Sequence, residues 1–236
     1  MAECLNIPLG GLSVMIGMPS DRSIPYQTVE SLLGTFSKCS KVEIHAELGM
    51  IAGCAIVTKA RDDVVNHFLE SDCNYLFWID SDMEWDAGQF LRILALSTQF
   101  GVVGATYPAK IDKEATYFVK MKDLEHPVYN DIGLMDVEGM GLGFTCMPRE
   151  IVEEVAATKP LVLDKDDNPF AAVFRVDTHE GHFRGEDMAF FADICELGHK
   201  VWLDPLVDLG HVGPKTFRGD FVAAWNVDTE KELETA

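Results

Sequence analysis

The sequence predicts an α/β fold with a mostly parallel central sheet and helices on both faces. Three observations support this fold class: the composition of one globular domain, short apolar segments typical of buried strands, and helical patterns that alternate with them. The chain has 236 residues, of which 47% are hydrophobic and 25% are charged. It has no internal repeat, low-complexity linker or change of composition, so residues 1–236 are expected to form a single domain.

The first half of the chain alternates strands with helices. Four strands are predicted at residues 12–18, 42–46, 75–79 and 102–106. One helix is predicted after Pro25, because a first helical turn does not need the N–H that proline lacks, and a second runs through Ile56 and Leu69. A third follows Asp86, which can cap it. In a sheet of this β-α-β-α-β-α-β order, ligands bind beyond the carboxyl ends of the strands.

The second half is predicted to be α+β in character. It contains a glycine-rich segment at 138–143, a helix that begins near Pro148, a helix at 186–197 and a closing strand at 201–203. Residues 164–184 are predicted to form a surface loop, because Asp, Asn and Pro are frequent in their first part.

The chain is strongly acidic. It contains 39 Asp and Glu residues against 19 Lys and Arg residues, which gives a formal net charge of −20, and an acidic tail at 226–236 contributes only a small part of it. Nucleic acids and anionic membrane surfaces are bound by clustered cations, so both partners are disfavoured. No apolar run is long enough to cross a bilayer and the first residues do not resemble a signal peptide, so we expect no membrane span and a cytoplasmic protein.

The cysteines and histidines give no strong metal pattern of their own. The 6 cysteines are scattered without any Cys-x-x-Cys spacing, which favours reduced, buried thiols over disulfides or a zinc framework. His179 and His182 have a His-x-x-His spacing, but without cysteines nearby this is a weak zinc pattern.

Two carboxylates follow the most strand-like segment of the chain. Asp80 and Asp82 flank Ser81 directly after the apolar residues 75–79. Two carboxylates one residue apart on an extended turn can share Mg²⁺ or Mn²⁺, which accept few protein oxygens and leave coordination positions for substrate phosphates. The alternative is that both side chains only cap the following helix.

Three further residues are candidates for chemistry near the ends of strands and helices. Glu186 and Asp187 open the last helix, where acidic residues interact favourably with the helix dipole, but one of them could also be a general base. His211 lies between Gly210 and Gly213, which makes a purely structural role less natural for it and leaves a metal-ligand role open.

Glycines and scarce cations complete the set of candidates. Gly139, Gly141 and Gly143 have a G-x-G-x-G spacing that is not the dinucleotide-binding fingerprint. They can form a bulged connection, or leave the backbone bare so that a substrate lies against it.

Three cations in this acidic chain are either solvated side chains or partners of a diphosphate: Arg61, Lys110 and Lys215.

Together these segments resemble GT-A fold glycosyltransferases, in particular the small, family-2-like members of bacteria and phages. The resemblance covers about residues 12–220 and is carried by motifs that occur in the family's order. These are Met18-Pro19-Ser20, Ala60-Arg61, Phe77-Trp78-Ile79-Asp80-Ser81-Asp82-Met83, Tyr107-Pro108-Ala109-Lys110, the glycine segment, Gly185-Glu186-Asp187 and Gly210-His211-Val212-Gly213. It implies a GT-A fold with a nucleotide-binding half at about 12–110 and an acceptor and catalytic half at about 111–220.

The resemblance also implies roles for individual residues. Asp82 and His211 would bind Mn²⁺ or Mg²⁺, and Asp80 would contact the metal or the ribose. Asp187 would be the catalytic base of an inverting enzyme, with Glu186 shaping the acceptor site beside it. Nine residues are expected to bind the nucleotide sugar, including the two lysines that could pair with its diphosphate. They are Pro19, Ser20, Arg61, Asp80, Ser81, Lys110, Gly141, Gly143 and Lys215.

The implied activity is a metal-dependent transfer of a sugar from a nucleotide-diphosphate sugar, with a UDP-sugar favoured, to an acceptor hydroxyl. The stereochemistry stays open, because a retaining outcome follows if Asp187 points away from the acceptor. The acceptor is undefined and includes a saccharide, a lipid-linked or small molecule, or a modified DNA base in a phage setting. The alternatives are a nucleotidyltransferase on a similar sheet and a non-catalytic binder of sugar nucleotides.

Overall fold

The computed structural model describes residues 7–21, 23–111, 115–164 and 166–225. The acidic tail at 226–236 and Cys4 lie outside the described residues. The helices are α1 Tyr26–Lys41, α2 Val57–Glu70, α3 Ala87–Phe100, α4 Arg149–Ala157 and α5 Glu186–Glu196. The strands are β1 Ser13–Ser20, β2 His45–Ala52, β3 Tyr75–Ile79, β4 Met83–Glu84, β5 Val102–Gly104, β6 Val119–Met121, β7 Met135–Met140, β8 Phe144–Pro148, β9 Leu161–Leu163, β10 Pro169–Ala171, β11 Asp177–His179, β12 His182–Arg184, β13 Val201–Leu203, β14 Gly210–Val212 and β15 Thr216–Phe217.

An eight-stranded sheet of order β2-β1-β3-β8-β5-β13-β7-β6 forms the centre of the molecule. Six strands run in one direction, while β7 and β8 run in the other, so the sheet is mostly parallel as predicted. Strand β8 comes from the second half of the chain and lies between β3 and β5 of the first half. The two predicted halves therefore share one sheet.

The sheet buries a hydrophobic core on each face. One core joins alternate strand residues such as Leu76 and Trp78 to helices α2, α4 and α5. The other joins the intervening residues, such as Phe77 and Ile79, to α1 and α3. Because β3 is apolar at every position, it can be buried on both faces, which is why this segment is the central strand next to the candidate site.

Most predicted elements are present, and two predictions need correction. The second strand begins at His45 rather than at residue 42 and extends to Ala52. Residues 164–184 are not one loop, since they contribute β10 and the β11–β12 hairpin. Short hairpins with exposed side chains leave little hydrophobic periodicity in a sequence, which explains the error.

Two predicted helix starts are confirmed: the cap of α3 at Asp86 and the beginning of α1 after Pro25. Asp86 caps α3: its side chain accepts a hydrogen bond from the Gly88 N–H at 2.6 Å, and the Asp86 N–H donates to Oε1 of Gln89 at 2.7 Å. Pro25 occupies the position just before α1 begins at Tyr26.

All 5 cysteines in the described part of the chain are free thiols. None of the described helices is long and apolar enough to span a membrane.

Candidate active site

The predicted acid pair lies at the carboxyl end of β3. The chain turns there, with the Met83 N–H donating to the Asp80 carbonyl at 3.2 Å. The Asp80 N–H donates to the Gly143 carbonyl at 3.1 Å, which ties the turn to the end of the glycine segment, directly before β8. Half-buried Ser81 lies in this turn. Pro19 and Ser20 end the neighbouring strand β1, so the predicted nucleotide-binding residues share this edge of the sheet.

A small second sheet brings His211 to Asp82. Strand β14 pairs with β4, in which His211 is opposite Met83, and the Val212 N–H donates to the Asp82 carbonyl at 2.7 Å. His211 donates from Nδ1 to the Pro108 carbonyl at 2.9 Å, so that Nε2 faces Oδ1 of Asp82 at 3.5 Å. A histidine bound this way through one nitrogen is oriented for its other nitrogen to act as a ligand.

Asp82 is also bound by a lysine. The Lys110 ammonium contacts Oδ2, the carboxylate oxygen that His211 does not face. Burial raises the pKa of Asp82, but hydrogen bonds and charge from His211 and Lys110 outweigh burial, so that the pKa lies below its usual range. The carboxylate is therefore ionised at neutral pH and able to accept a cation.

Arg61 holds a cluster of three carboxylates beneath this edge. The side chain comes from α2 and is 4% exposed. One guanidinium nitrogen contacts Asp80 at 3.4 Å, and the other contacts Glu186 at 3.3 Å and also forms an ion pair with Asp187. The planar guanidinium can bridge several carboxylates because it presents donors in fixed directions. The structure thus joins the acid pair of β3 to the first turn of α5.

Asp187 borders a small cavity. Its Oδ2 accepts a hydrogen bond from the Leu142 N–H at 3.3 Å, which fixes the carboxylate between the glycine segment and Arg61. The cavity, of about 240 Å³, is lined by Thr106, Tyr107, Phe118, Gly141, Gly185, Glu186, Asp187 and Met188. A reacting group in this cavity would meet the Asp187 carboxylate.

Tyr107 connects the parts of the site. Its hydroxyl donates to Oδ2 of Asp80 at 3.1 Å and accepts from the Gly143 N–H at 3.2 Å. Its ring packs edge-on against the His211 ring, with ring centroids 5.0 Å apart. Burial and the neighbouring Asp80 charge raise the pKa of the Tyr107 phenol well above its ordinary value, so the hydroxyl stays protonated as a donor.

The glycine segment has a packing reason for its lack of side chains. A Cβ atom on Gly141 would lie 2.7 Å from the Tyr107 hydroxyl, and one on Gly143 would overlap the Asp80 carboxylate. A Cβ on Gly139 would lie 2.9 Å from the Met188 sulfur. These positions are bare so that Asp80, Tyr107 and α5 can approach the backbone, while contact of Gly141 and Gly143 with a sugar stays a prediction.

Lys215 lies further along the same edge. It lines a cavity of about 460 Å³ together with Pro108, Ala109, Ile111, Ala115, Thr216, Phe217 and Arg218. A Cβ on Gly213 would lie 3.2 Å from the Lys110 side chain, so Lys110 packs against the β14–β15 turn that contains Lys215.

The structure brings Asp82 together with His211, and it brings Asp80 together with Asp187 through Arg61. The two carboxylate oxygens of Asp80 contact Arg61 and Tyr107. Within the described ranges, no three His, Cys, Asp or Glu side chains converge as a ready-made metal site, and this includes the His179–His182 hairpin. Sequence reasoning missed Tyr107 as a site residue. The sequence feature that could have identified Tyr107 is its position shortly after β5. That strand runs in the same direction as β3 and ends at the same edge of the sheet.

Comparisons with known proteins identify a fold. No protein-family model and no curated protein matches the chain. Among solved structures, A197 from STIV is similar, with a TM-score of 0.57 and 20% identity over 86% of each chain. GalNAc-T7 with UDP, GalNAc and Mn²⁺ is similar at a TM-score of 0.48 and 11% identity, covering 89% of this chain and 45% of that chain.

A third solved structure is a glycosyltransferase involved in glycosylation of the major capsid of PBCV-1. Its TM-score is 0.35 at 9% identity, over 61% of this chain and 62% of that chain. The likeness to A197 shows a shared fold, whereas the two weaker likenesses are too distant to carry an argument. With its mostly parallel sheet and helices on both faces, the chain has the α/β architecture that the sequence predicted.

Proposed function

We propose that the protein is a metal-dependent glycosyltransferase that moves a sugar from a nucleotide-diphosphate sugar to an acceptor hydroxyl. The observation that carries the proposal is the Asp82–His211 pair, in which Nε2 and Oδ1 face each other 3.5 Å apart at the carboxyl edge of the sheet. Arg61 contacts both Asp80 of the acid pair and Asp187, so ion pairs link the candidate cation site to the candidate base.

The donor set fits Mn²⁺ or Mg²⁺. Two ligands that bind one such cation at right angles, each about 2.1 Å from it, lie about 3 Å apart, close to the spacing of the two facing atoms. Both cations keep waters and substrate phosphates as further ligands, so two or three protein ligands suffice. Asp82 and His211 would hold the cation, and Asp80 would join them after a side-chain rotation or contact the ribose instead.

A cation bound there would neutralise the negative charge that develops on the departing nucleoside diphosphate. Lys110 and Lys215 would add positive charge at the same edge. Pro19, Ser20 and Ser81, at the ends of β1 and β3, would border the nucleotide, for which a UDP-sugar is favoured.

Asp187 would act as the base. The acceptor oxygen forms a bond to the anomeric carbon while the bond from that carbon to the diphosphate oxygen breaks, and the acceptor proton moves to the Asp187 carboxylate. Attack from the face opposite the diphosphate inverts the anomeric centre. Arg61 and the Leu142 N–H fix the orientation of Asp187, and Glu186 beside it would shape the acceptor site.

Arg61 fits a positioning role better than direct nucleotide contact. Its side chain is 4% exposed and its guanidinium already touches three carboxylates. We therefore propose that Arg61 offsets the negative charge of Asp80, Glu186 and Asp187. Without it, these carboxylates would repel one another and the incoming diphosphate.

The test is a thermal-shift screen of UDP-, GDP-, CDP- and dTDP-sugars with and without Mn²⁺, followed by an assay of nucleoside diphosphate release. We expect Mn²⁺ to be required for stabilisation by the donor and EDTA to abolish turnover. Asp82→Asn and His211→Ala should lose the Mn²⁺ effect, while the exposed control Asp131→Asn should keep it.

Other outcomes of this test would replace the proposal. Pyrophosphate release from a nucleoside triphosphate would identify a nucleotidyltransferase. Donor binding with Mn²⁺ and no turnover, in which Asp187→Asn behaves like the parent, would identify a non-catalytic binder. Turnover that persists in EDTA would exclude the metal-dependent mechanism.

A further inference from the structure

A second, larger cavity adjoins the candidate base. Its volume is about 780 Å³, and it is bounded by helix α5, the β11–β12 hairpin and the edge strand β6. It shares Gly185 and Met188 with the smaller cavity that Asp187 borders. We call these two adjoining cavities the α5 groove. A ligand in it would reach Asp187 at one end.

The α5 groove has an apolar floor and two exposed aromatic rings. Met188, Ala192 and Cys195 recur at helical spacing on one side of α5 and form the floor. Phe118, before β6, is 63% exposed, and Phe183, on β12, is 77% exposed. Each ring lines one of the two cavities, so the exposed aromatic surface is distributed along the groove. Exposed aromatic side chains gathered around one concave site indicate ligand contact.

The charges around the larger cavity balance. The three cationic lining residues Lys120, Lys122 and Arg184 are matched by Glu138, Glu180 and Glu196. Each cation is also engaged within the protein: Lys120 with Glu138 at 2.6 Å, Lys122 with Asp136 at 2.5 Å, and Arg184 with Asp177 at 2.7 Å. An anionic ligand would have to compete with these carboxylates, so the groove suits a ligand without net charge.

We propose that the α5 groove binds a neutral oligosaccharide as the acceptor, with one terminal hydroxyl at Asp187. A sugar ring has apolar C–H faces that pack on aromatic rings and hydroxyl edges that bond to polar groups, which matches a groove with Phe118 and Phe183 along it and His179, His182 and Glu180 on its wall. The cavity volume lies within the range of about 300–1,000 Å³ typical of small-molecule sites.

This assignment to the acceptor rests on the proposed function, but the binding itself can be tested without turnover. The protein is labelled with ¹³C at the methionine methyl groups, and the Met188 signal is assigned with Met188→Leu. It is then titrated with maltotriose, cellotriose, mannotriose and triacetylchitotriose. We expect at least one trisaccharide to shift the Met188 signal, because Met188 lines both cavities.

Three variants localise the binding. Phe118→Ala and Phe183→Ala should each weaken the trisaccharide about threefold to tenfold, the loss expected for one aromatic contact. Leu161→Ala removes a side chain that is 72% exposed outside the groove and should change nothing. Thermal unfolding should be the same for all three, because the replaced side chains are mostly exposed.

The outcomes separate the inference from the proposed function. If no trisaccharide shifts Met188 at millimolar concentration, or if an uncharged peptide does so instead, the oligosaccharide inference is wrong even when UDP binds with Mn²⁺. If a trisaccharide binds in the groove but no nucleotide binds, the groove remains a carbohydrate site and the transferase proposal fails.

Discussion

The hydroxyl of Tyr107 joins Asp80 to Gly143: it donates to Oδ2 of Asp80 at 3.1 Å while it accepts from the Gly143 N–H at 3.2 Å. One phenol thus links the acid pair after β3 to the glycine segment before β8. Because the ring also packs on His211, a substitution of Tyr107 would alter the surroundings of both Asp80 and His211.

Tyr107→Phe removes both hydrogen bonds without changing the ring. We expect a loss of about 1–3 kcal/mol in the free energy of unfolding, because the buried Gly143 N–H and Asp80 carboxylate each lose a partner. Mn²⁺ affinity should fall as well. Denaturant unfolding and Mn²⁺ titration measure the two effects, and Tyr129→Phe, at a half-exposed tyrosine elsewhere, is the control. Unchanged Mn²⁺ affinity would contradict the positioning role.

Gly143→Ala tests whether the glycine segment is bare because of close packing. The added methyl group would overlap the Asp80 carboxylate and lie 2.7 Å from the Tyr107 hydroxyl, so we expect destabilisation by about 1–3 kcal/mol. Gly34→Ala is the matched control, because no atom lies within 4 Å of a Cβ there and alanine favours the helix α1. It should stabilise by about 0.5–1 kcal/mol. Equal effects of the two changes in denaturant unfolding would refute the packing explanation.

Arg61→Gln leaves three neighbouring carboxylates without their cation. We expect a loss of about 3–5 kcal/mol in stability, as for a buried ion pair that loses one partner. The control is Arg218→Gln, which breaks an ion pair to Glu84 in which Arg218 is 58% exposed. It should cost less than about 1 kcal/mol. Chemical unfolding compares the two, and a small effect at Arg61 would show that the carboxylates do not depend on it.

Asp62 should make stability depend on pH. Its side chain is 5% exposed and accepts hydrogen bonds from the Val173 and Phe174 N–H groups at 2.8 and 2.9 Å. Burial raises its pKa from 3.8 to about 6, against the smaller effect of these two hydrogen bonds. The folded protein keeps this proton to higher pH than the unfolded chain does. The contribution of Asp62 is therefore largest below pH 3.8 and is lost as pH rises to about 6.

Asp62→Asn should remove this loss, which amounts to at most about 3 kcal/mol. The variant should gain stability relative to the parent as pH rises from about 4 to about 6, because asparagine can still accept the two hydrogen bonds but never ionises. The comparison is denaturant unfolding across that range, with Asp63→Asn, at the partly exposed neighbour, as the control for a lost charge. Parallel pH profiles of the parent and Asp62→Asn would disprove the assignment.

The sequence by itself determined the fold class and the position of the acid pair. Uninterrupted apolar segments such as residues 75–79 can be buried only between two helical layers, and the carboxyl end of a parallel strand is where the chain leaves the core. The predicted cap at Asp86 was confirmed for the same kind of reason, since a cap is decided within one helical turn.

Only the tertiary structure decided which side chains meet. His211 reaches Asp82 because β14 pairs with β4, Arg61 reaches Asp187 because α2 and α5 pack on the same face of the sheet, and Tyr107 fills the space that Gly141 and Gly143 leave open. Such contacts join residues that are distant in sequence. No local propensity or periodicity encodes them, because they follow from strand pairing and the packing of the two layers.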